Sequence, residues 1–435
     1  MDAEEAAMLP RPRFRWLVRR RFMILALIIV IGLVTWNQVA IFDVIPRVFP
    51  PPGASSEITP SLAAGDWSQV GRDPQSSRFT PYEAPVPERI KWKFPTDDPI
   101  LASPSVVDGV AYLTTNDGRL VALEAESGVV IWEHVTGERS SSSPAVAGDL
   151  VISATRPGEV IAVNRDSGQL VWTVDLRSPI YASPVVGDGT VYIGSGASKL
   201  FAIDVLTGDL RWEARTRDWV VAPAAYSGST VVVASQGKVV DIFDTKNGRR
   251  RLKYNTGKVR FGGAPLIQGD LAYFSSDGGV VWAIDRNAQT FPTERFLFHA
   301  KINLYVWQLI SSRPVQLGSI WSKRIGSDIN LALAATEQAV FGAKSDGSVF
   351  ARGALRGEDL WSTKLGSDIE VAPIVAADKV LVGTVDGDVI AVDTQSGIIQ
   401  WDFPIGAAIT SSPVVAGNSI YVGAADGSLY AIGAQ

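Results

Sequence analysis

The sequence predicts an all-β, eight-bladed β-propeller of four-stranded antiparallel blades, preceded by one N-terminal transmembrane helix. Three observations predict the propeller. Trp92, Trp132, Trp172 and Trp212 stand 40 residues apart, Leu252 keeps the interval, and Trp321, Trp361 and Trp401 resume it. Pro104, Pro144, Pro184, Pro223, Pro265, Pro373 and Pro413 open units in phase with this series, with Leu333 in the proline place of the sixth. Asp-Gly turns recur within the units, at Asp117-Gly118, Asp277-Gly278, Asp346-Gly347, Asp386-Gly387 and Asp426-Gly427. Read as type I′ turns, which need positive φ, they mark hairpins. Four short strands per unit at this period are propeller blades, and eight openers make eight blades.

Taken in chain order, residues 1–21 hold six Arg and three acids. Residues 22–42 carry no formal charge, and at 1.5 Å per residue they span ~31 Å, the thickness of a bilayer's hydrocarbon core. The run exceeds a signal-peptide core and no small-residue cleavage site follows it, so a retained helix is expected. Six Arg precede it and only Arg47 follows closely, which keeps the N-terminus cytoplasmic and sends the rest to the periplasmic or extracellular side. Residues 43–66, with Pro46, Pro50, Pro51, Pro52 and Pro60, read as a semi-rigid stalk.

The propeller is expected over residues 67–435. The final unit stops at Ala431-Ile432 without its Trp strand, whereas Trp92 lies in a strand ahead of the first opener. Residues 88–95 are therefore expected to complete blade eight and close the ring, removing an exposed sheet edge. The 69 residues from Leu252 to Trp321 leave 29 extra, an insertion at 287–315 in blade five.

Composition narrows the function. The 435 residues are 46% hydrophobic and 20% charged, enough apolar material for a sizeable core, and contain no Cys and two His. That excludes disulfides, thiol catalysis, Cys-ligated metal and lipid attachment through an N-terminal Cys. A net charge of −5 does not point to nucleic acid.

The repeat Ala-x-Asp-x-x-Thr/Ser-Gly-x-x-x-Trp, seen as AIDVLTGDLRW at 202–212 and AVDTQSGIIQW at 391–401, resembles the repeat of PQQ-binding-like, quinoprotein-type propellers. Residues 66–81, DWSQVGRDPQSSRFTP, resemble that family's leader. In size the chain is similar to the BamB-type assembly-factor propellers, which are not enzymes. The resemblance implies that the recurring Trp dock each blade against the next, burying roughly 150–250 Å² apiece. It also implies what a quinoprotein enzyme would need: adjacent Cys or a His base against the quinone, with carboxylate and amide ligands for calcium. The Cys pair is missing, His134 falls on an outer strand, and His299 falls in the insertion.

Two regions are candidate partner-binding surfaces. Five places before the openers, Arg139, Asp218, Arg260, Asp328 and Asp368 are expected round the mouth of one channel, and one place later stand Trp219 and Phe261 among aliphatic neighbours. A ring of this kind suits a polar peptide or a cation, and the bland reading is solvated charges ordering their own loops. The insertion offers Phe298, Tyr305 and Trp307 to a partner or a bilayer surface, or packs on itself as a cap. Together these features favour a membrane-anchored extracytoplasmic scaffold or assembly factor that binds other envelope or surface proteins, without catalysis and without cofactor or metal. The alternative is a PQQ-dependent alcohol or sugar dehydrogenase, with calcium, at an atypical site.

Overall fold

The computed structural model describes residues 53–434, except 55, 64, 258–260, 262, 292, 327, 328 and 330. The expected membrane helix at 22–42 lies outside the described residues, and so do Arg260 and Asp328. Among the described residues no helix is long and apolar enough to cross a membrane.

Eight antiparallel sheets of four consecutive positions form the propeller. Blade one sets the pattern, with strands Ser105–Val107, Val110–Thr114, Arg119–Glu124 and Val130–Val135 from the axis outward. Blades two to seven repeat it over 145–175, 185–215, 225–255, 266–324, 334–364 and 374–404. Blade eight joins Val414–Ala416, Ser419–Gly423 and Ser428–Gly433 to the early strand Arg89–Pro95. Trp92 lies opposite Ala431 and Phe94 opposite Leu429, so an early outer strand closes a ring begun by late inner ones.

The period works through one repeated contact. In six of the seven periodic Trp the indole N–H donates to a carbonyl 33 residues on, in the next blade: Trp92 to Ala125 at 2.9 Å, Trp132 to Arg165 at 2.8 Å, Trp172 to Val205 at 2.9 Å and Trp212 to Thr245 at 2.8 Å. Trp321 and Trp361 repeat it to Ala354 and Thr394, both at 2.8 Å. The indole lies flat on the glycine of the neighbour's outer turn. A Cβ built on Gly208 would come within 2.9 Å of Trp172, and Gly208 has φ +76°, so small size and left-handed backbone are both required there. Leu252 fills the place against Gly318 but has no N–H to give. The Trp401 indole nitrogen is buried and unpartnered.

The Asp-Gly turns differ from their expected type. At Thr115-Asn116-Asp117-Gly118-Arg119 only Gly118 has positive φ, and the Thr115 and Gly118 N–H groups bond to Arg119 and Thr115 carbonyls. This is a three-residue loop with a glycine bulge, in which Asp needs no left-handed backbone. At Asp277-Gly278 the positive φ falls on Gly279. The two-residue type I′ geometry appears instead between the first two strands of a blade, at Asp108-Gly109 and Asp188-Gly189, with both residues of each pair at positive φ.

The insertion leaves blade five between its third strand, Val280–Asp285, and its fourth, Ser319–Arg324. Residues Phe291–Pro314 belong to a compact unit apart from the propeller and contain the helix α1 (Glu294–Val306).

Candidate functional site

The axis is the one place where all eight blades converge. Each two- or three-residue inner strand turns an unpaired edge toward it, and a buried backbone N–H left unpaired there is costly. Residues 66–80 supply the missing acceptors. The N–H groups of Val106, Val146, Tyr226, Ile267, Ala335 and Val375 donate to the carbonyls of Trp67, Ser68, Pro74, Gln75, Ser77 and Arg78 at 2.6–2.9 Å. For blade three a side chain substitutes for backbone, with the Gln69 amide oxygen accepting from Val186 N–H at 2.8 Å. Phe79–Thr80 then pairs parallel with the inner strand of blade seven. The segment thus straps seven blades at the hub. Its path demands left-handed backbone at Gly71, Arg72, Ser76 and Arg78.

The strap carries buried charge. Burial pushes the Asp73 carboxyl above its usual range, against hydrogen bonds from Ser77 and the nearby Arg72 and Arg78. Burial also lowers Arg78 to about 10, with Asp73 opposing. Beside the strap, Trp67, Val70, Gly71, Arg78, Ser103 and Ser412 border a cavity of about 10 Å³, room for one water. Small residues ahead of the inner strands line the axis next. The Ser103 N–H donates to Ser143 Oγ at 2.9 Å, the Ser143 N–H donates to Ser183 Oγ at 2.8 Å, and Ser103 Oγ donates to the Ser412 carbonyl at 3.0 Å. Ala222, Ala264, Ala332 and Ala372 meet in one buried cluster.

The mouth, built by the loops that enter the inner strands, lies beyond this neck. Blade four's inner strand begins at Ala225, so Ala224 rather than Pro223 holds the opener's place and the sequence register there is one residue off. Carbonyls confirm the correction: those of Arg139, Pro179, Trp219, Asp368 and Ala408 accept equivalent N–H groups from Arg156, Gly196, Gln236, Val385 and Ala425. Trp219 therefore stands in the ring where Asp218 was expected, and Val220 takes the buried place next to it. Asp218 turns inward to its own loop and accepts the Trp219 N–H at 2.8 Å.

Trp219 is 51% exposed and stacks on exposed Tyr181 with 6.5 Å between ring centroids and 13° between planes. Arg139 and Arg217 are exposed on the same side of the ring. Across it, Asp368, Glu370 and Asp386 are exposed. The mouth thus has an aromatic and basic arc on blades two to four and an acidic patch at blade seven. Phe261 does not join it. Only 3% exposed, it packs edge-on against Phe274 and Trp282 at 5.4 and 6.3 Å, so it belongs to the core. Sequence reasoning missed Tyr181 and the strap's role; the strap's signal was its Gly and Ser content next to a Trp.

His134 lies on blade one's outer strand, its Nδ1 3.1 Å from the Gly168 carbonyl. In α1, Phe298 is half-buried and Tyr305 exposed, and Trp307 just after it is exposed; these belong to the separate unit. Among the described residues no three His, Cys, Asp or Glu side chains cluster in a way that would hold a metal ion.

The family model described as outer membrane protein assembly factor BamB matches residues 84–182 and 306–435. The chain belongs to this family. Solved structures agree on the fold. BamB from Moraxella catarrhalis is 18% identical with a TM-score of 0.63, over 80% of this chain and 98% of that one. The quinohemoprotein alcohol dehydrogenase of Comamonas testosteroni is 14% identical with a TM-score of 0.65, over 85% and 80%. A computationally designed protein, Ika8, is 17% identical with a TM-score of 0.62, over 78% and 98%. No curated protein matches the sequence. BamB-like propellers and quinoprotein dehydrogenases thus share one scaffold, and identities this low speak to the fold alone.

Proposed function

We propose that this BamB-family chain is a membrane-anchored, extracytoplasmic propeller that binds other envelope or surface proteins as a scaffold and carries out no chemistry. The observation that carries this reading is the exposed Tyr181–Trp219 stack beside Arg139, at the mouth of an axis filled by the strap. Large aromatics and Arg in an exposed cluster are the residue types that anchor protein partners, and the acidic patch opposite gives such a partner an orientation. Residues 22–42 provide the anchor and residues 43–66 the connection, which meets the propeller at Ile58. Arg139, Trp219 and Asp368 remain the candidate contacts at the mouth; Arg260 and Asp328 share their ring positions in sequence.

Three features support the reading without a quinone. The cavity there holds about one water, the chain has no Cys, and the described residues lack a calcium-binding cluster. The second reading, a PQQ-dependent alcohol or sugar dehydrogenase with an atypical site, is supported by the likeness to the Comamonas enzyme's fold. Crosslinking and pull-down from native membranes tests the first: Trp219→Ala with Arg139→Glu is expected to abolish capture of partners held by wild type, and unchanged capture would refute the mouth as their site. Quinone- and calcium-dependent dye reduction with alcohols or sugars would establish the second.

A further inference from the structure

We infer that the blade-five insertion is a second membrane contact, with the helix α1 and the turn after it lying in the interface of an anionic bilayer. The inference rests on the membrane-anchored reading above. Its starting point is exposure: Phe296, Leu297, Val306, Trp307 and Leu309 are all exposed, Val306 at 66% and Trp307 at 68%. Apolar side chains of this size left in water are a cost that a lipid interface removes.

Topology points to the bilayer as the occupant. The chain reaches the propeller on the face that carries the turns between first and second strands, where the Ile58 carbonyl accepts the Gly189 N–H at 2.8 Å and Ile58 lies against Gly148. Both ends of the insertion root on that same face. Arg286 and Asn287 bond to the Gly269-Asp270 turn there, and Thr290 N–H and Gln316 Nε2 donate to the Arg251 and Lys253 carbonyls of blade four's outer strand. The chain from Phe42 to Gly53 spans at most ~40 Å fully extended, so this face is held near the lipid.

Charge agrees. Phe291–Pro314 holds Arg295, Lys301 and Arg313 against Glu294 alone, and blade four's outer strand, which holds the insertion's ends through the Arg251 and Lys253 carbonyls, carries Arg250, Arg251 and Lys253. Asp241 and Asp244 offset two of these through Arg250 and Arg251. Residues 22–435 as a whole hold 34 basic and 42 acidic residues, so the basic charge is placed where an anionic surface would meet it.

Because the chain has no Cys, single-Cys variants of the full-length protein take one environment-sensitive fluorophore each. Val306→Cys, Val135→Cys on the exposed outer strand of blade one, and Val34→Cys within the span are reconstituted into phosphatidylcholine–phosphatidylglycerol vesicles containing spin-labelled lipids. The expected result is a blue-shifted Val306 label quenched best by shallow spin labels, a Val34 label quenched by deep ones, and an unquenched Val135 label. Lys301→Glu with Arg313→Glu should release the Val306 label toward the Val135 level. If Val34 is quenched and Val306 behaves as Val135 does, the anchor stands and the interfacial helix is refuted. If Val34 is not quenched, the anchoring reading fails and this inference with it. Equal quenching at Val135 and Val306 would show unspecific lipid adhesion and also overturn it.

Discussion

Replacing Trp172 by Phe removes one indole N–H and part of one ring from the seam between blades two and three. The smaller ring gives up roughly 40 Å² of buried apolar area, about 1 kcal/mol at the usual area coefficient. Losing the bond to Val205 also leaves a buried carbonyl without its donor, which costs about 1–3 kcal/mol. The expected total is about 2–4 kcal/mol of unfolding free energy. Trp401 provides the internal control, since its indole nitrogen is buried but unpartnered. Trp401→Phe should lose only the area term, about 1 kcal/mol, with relief of an unsatisfied donor in its favour. Urea unfolding of the two detergent-solubilised variants, followed by far-UV circular dichroism, measures both. Equal losses would refute the claim that the interblade hydrogen bond, and not ring area alone, makes the period stabilising.

Three further outcomes follow from the same geometry. Gly208→Ala should destabilise by about 2–3 kcal/mol in thermal or urea unfolding, because the new Cβ meets the Trp172 ring at 2.9 Å on left-handed backbone. Deleting residues 88–95 opens blade eight, and a broader, lower-temperature melt is expected; an unaltered melt would contradict ring closure. Hydrogen bonds from Ser396 hold the Asp393 carboxyl below its usual range, so its contribution is present above the unfolded value near ~4 and is lost as pH falls. Asp393→Asn should therefore differ from wild type at pH 7, by under about 1 kcal/mol for so exposed a group, and the difference should shrink in urea titrations as pH falls below the usual carboxylate range.

Much of this architecture was legible because the repeat is written in side chains. A Trp every 40 residues reports the interblade seam directly, and turn glycines report the hairpins. Blade four shows how such reading slips. Pro223 mimics an opener, but the strand begins one residue later than the proline implies, which moved Asp218 into a ring it does not occupy and hid the role of Val220. Phe261, an aromatic among isoleucines, has the sequence signature of a partner anchor, yet Phe274 and Trp282 give it a buried aromatic niche. The strap was least legible. It acts mostly through backbone carbonyls, which leave no periodic signature, and its partners are spread over seven blades.

The ring's fastening lies between segments far apart in the chain, with Thr96 and Gly427 bonded across 331 residues. During synthesis the first seven blades can assemble on the hub strap while the blade-eight edge still waits for its counterpart. An arc with a raw sheet margin must then persist until the final hairpin emerges, which favours slow, late locking of the whole molecule.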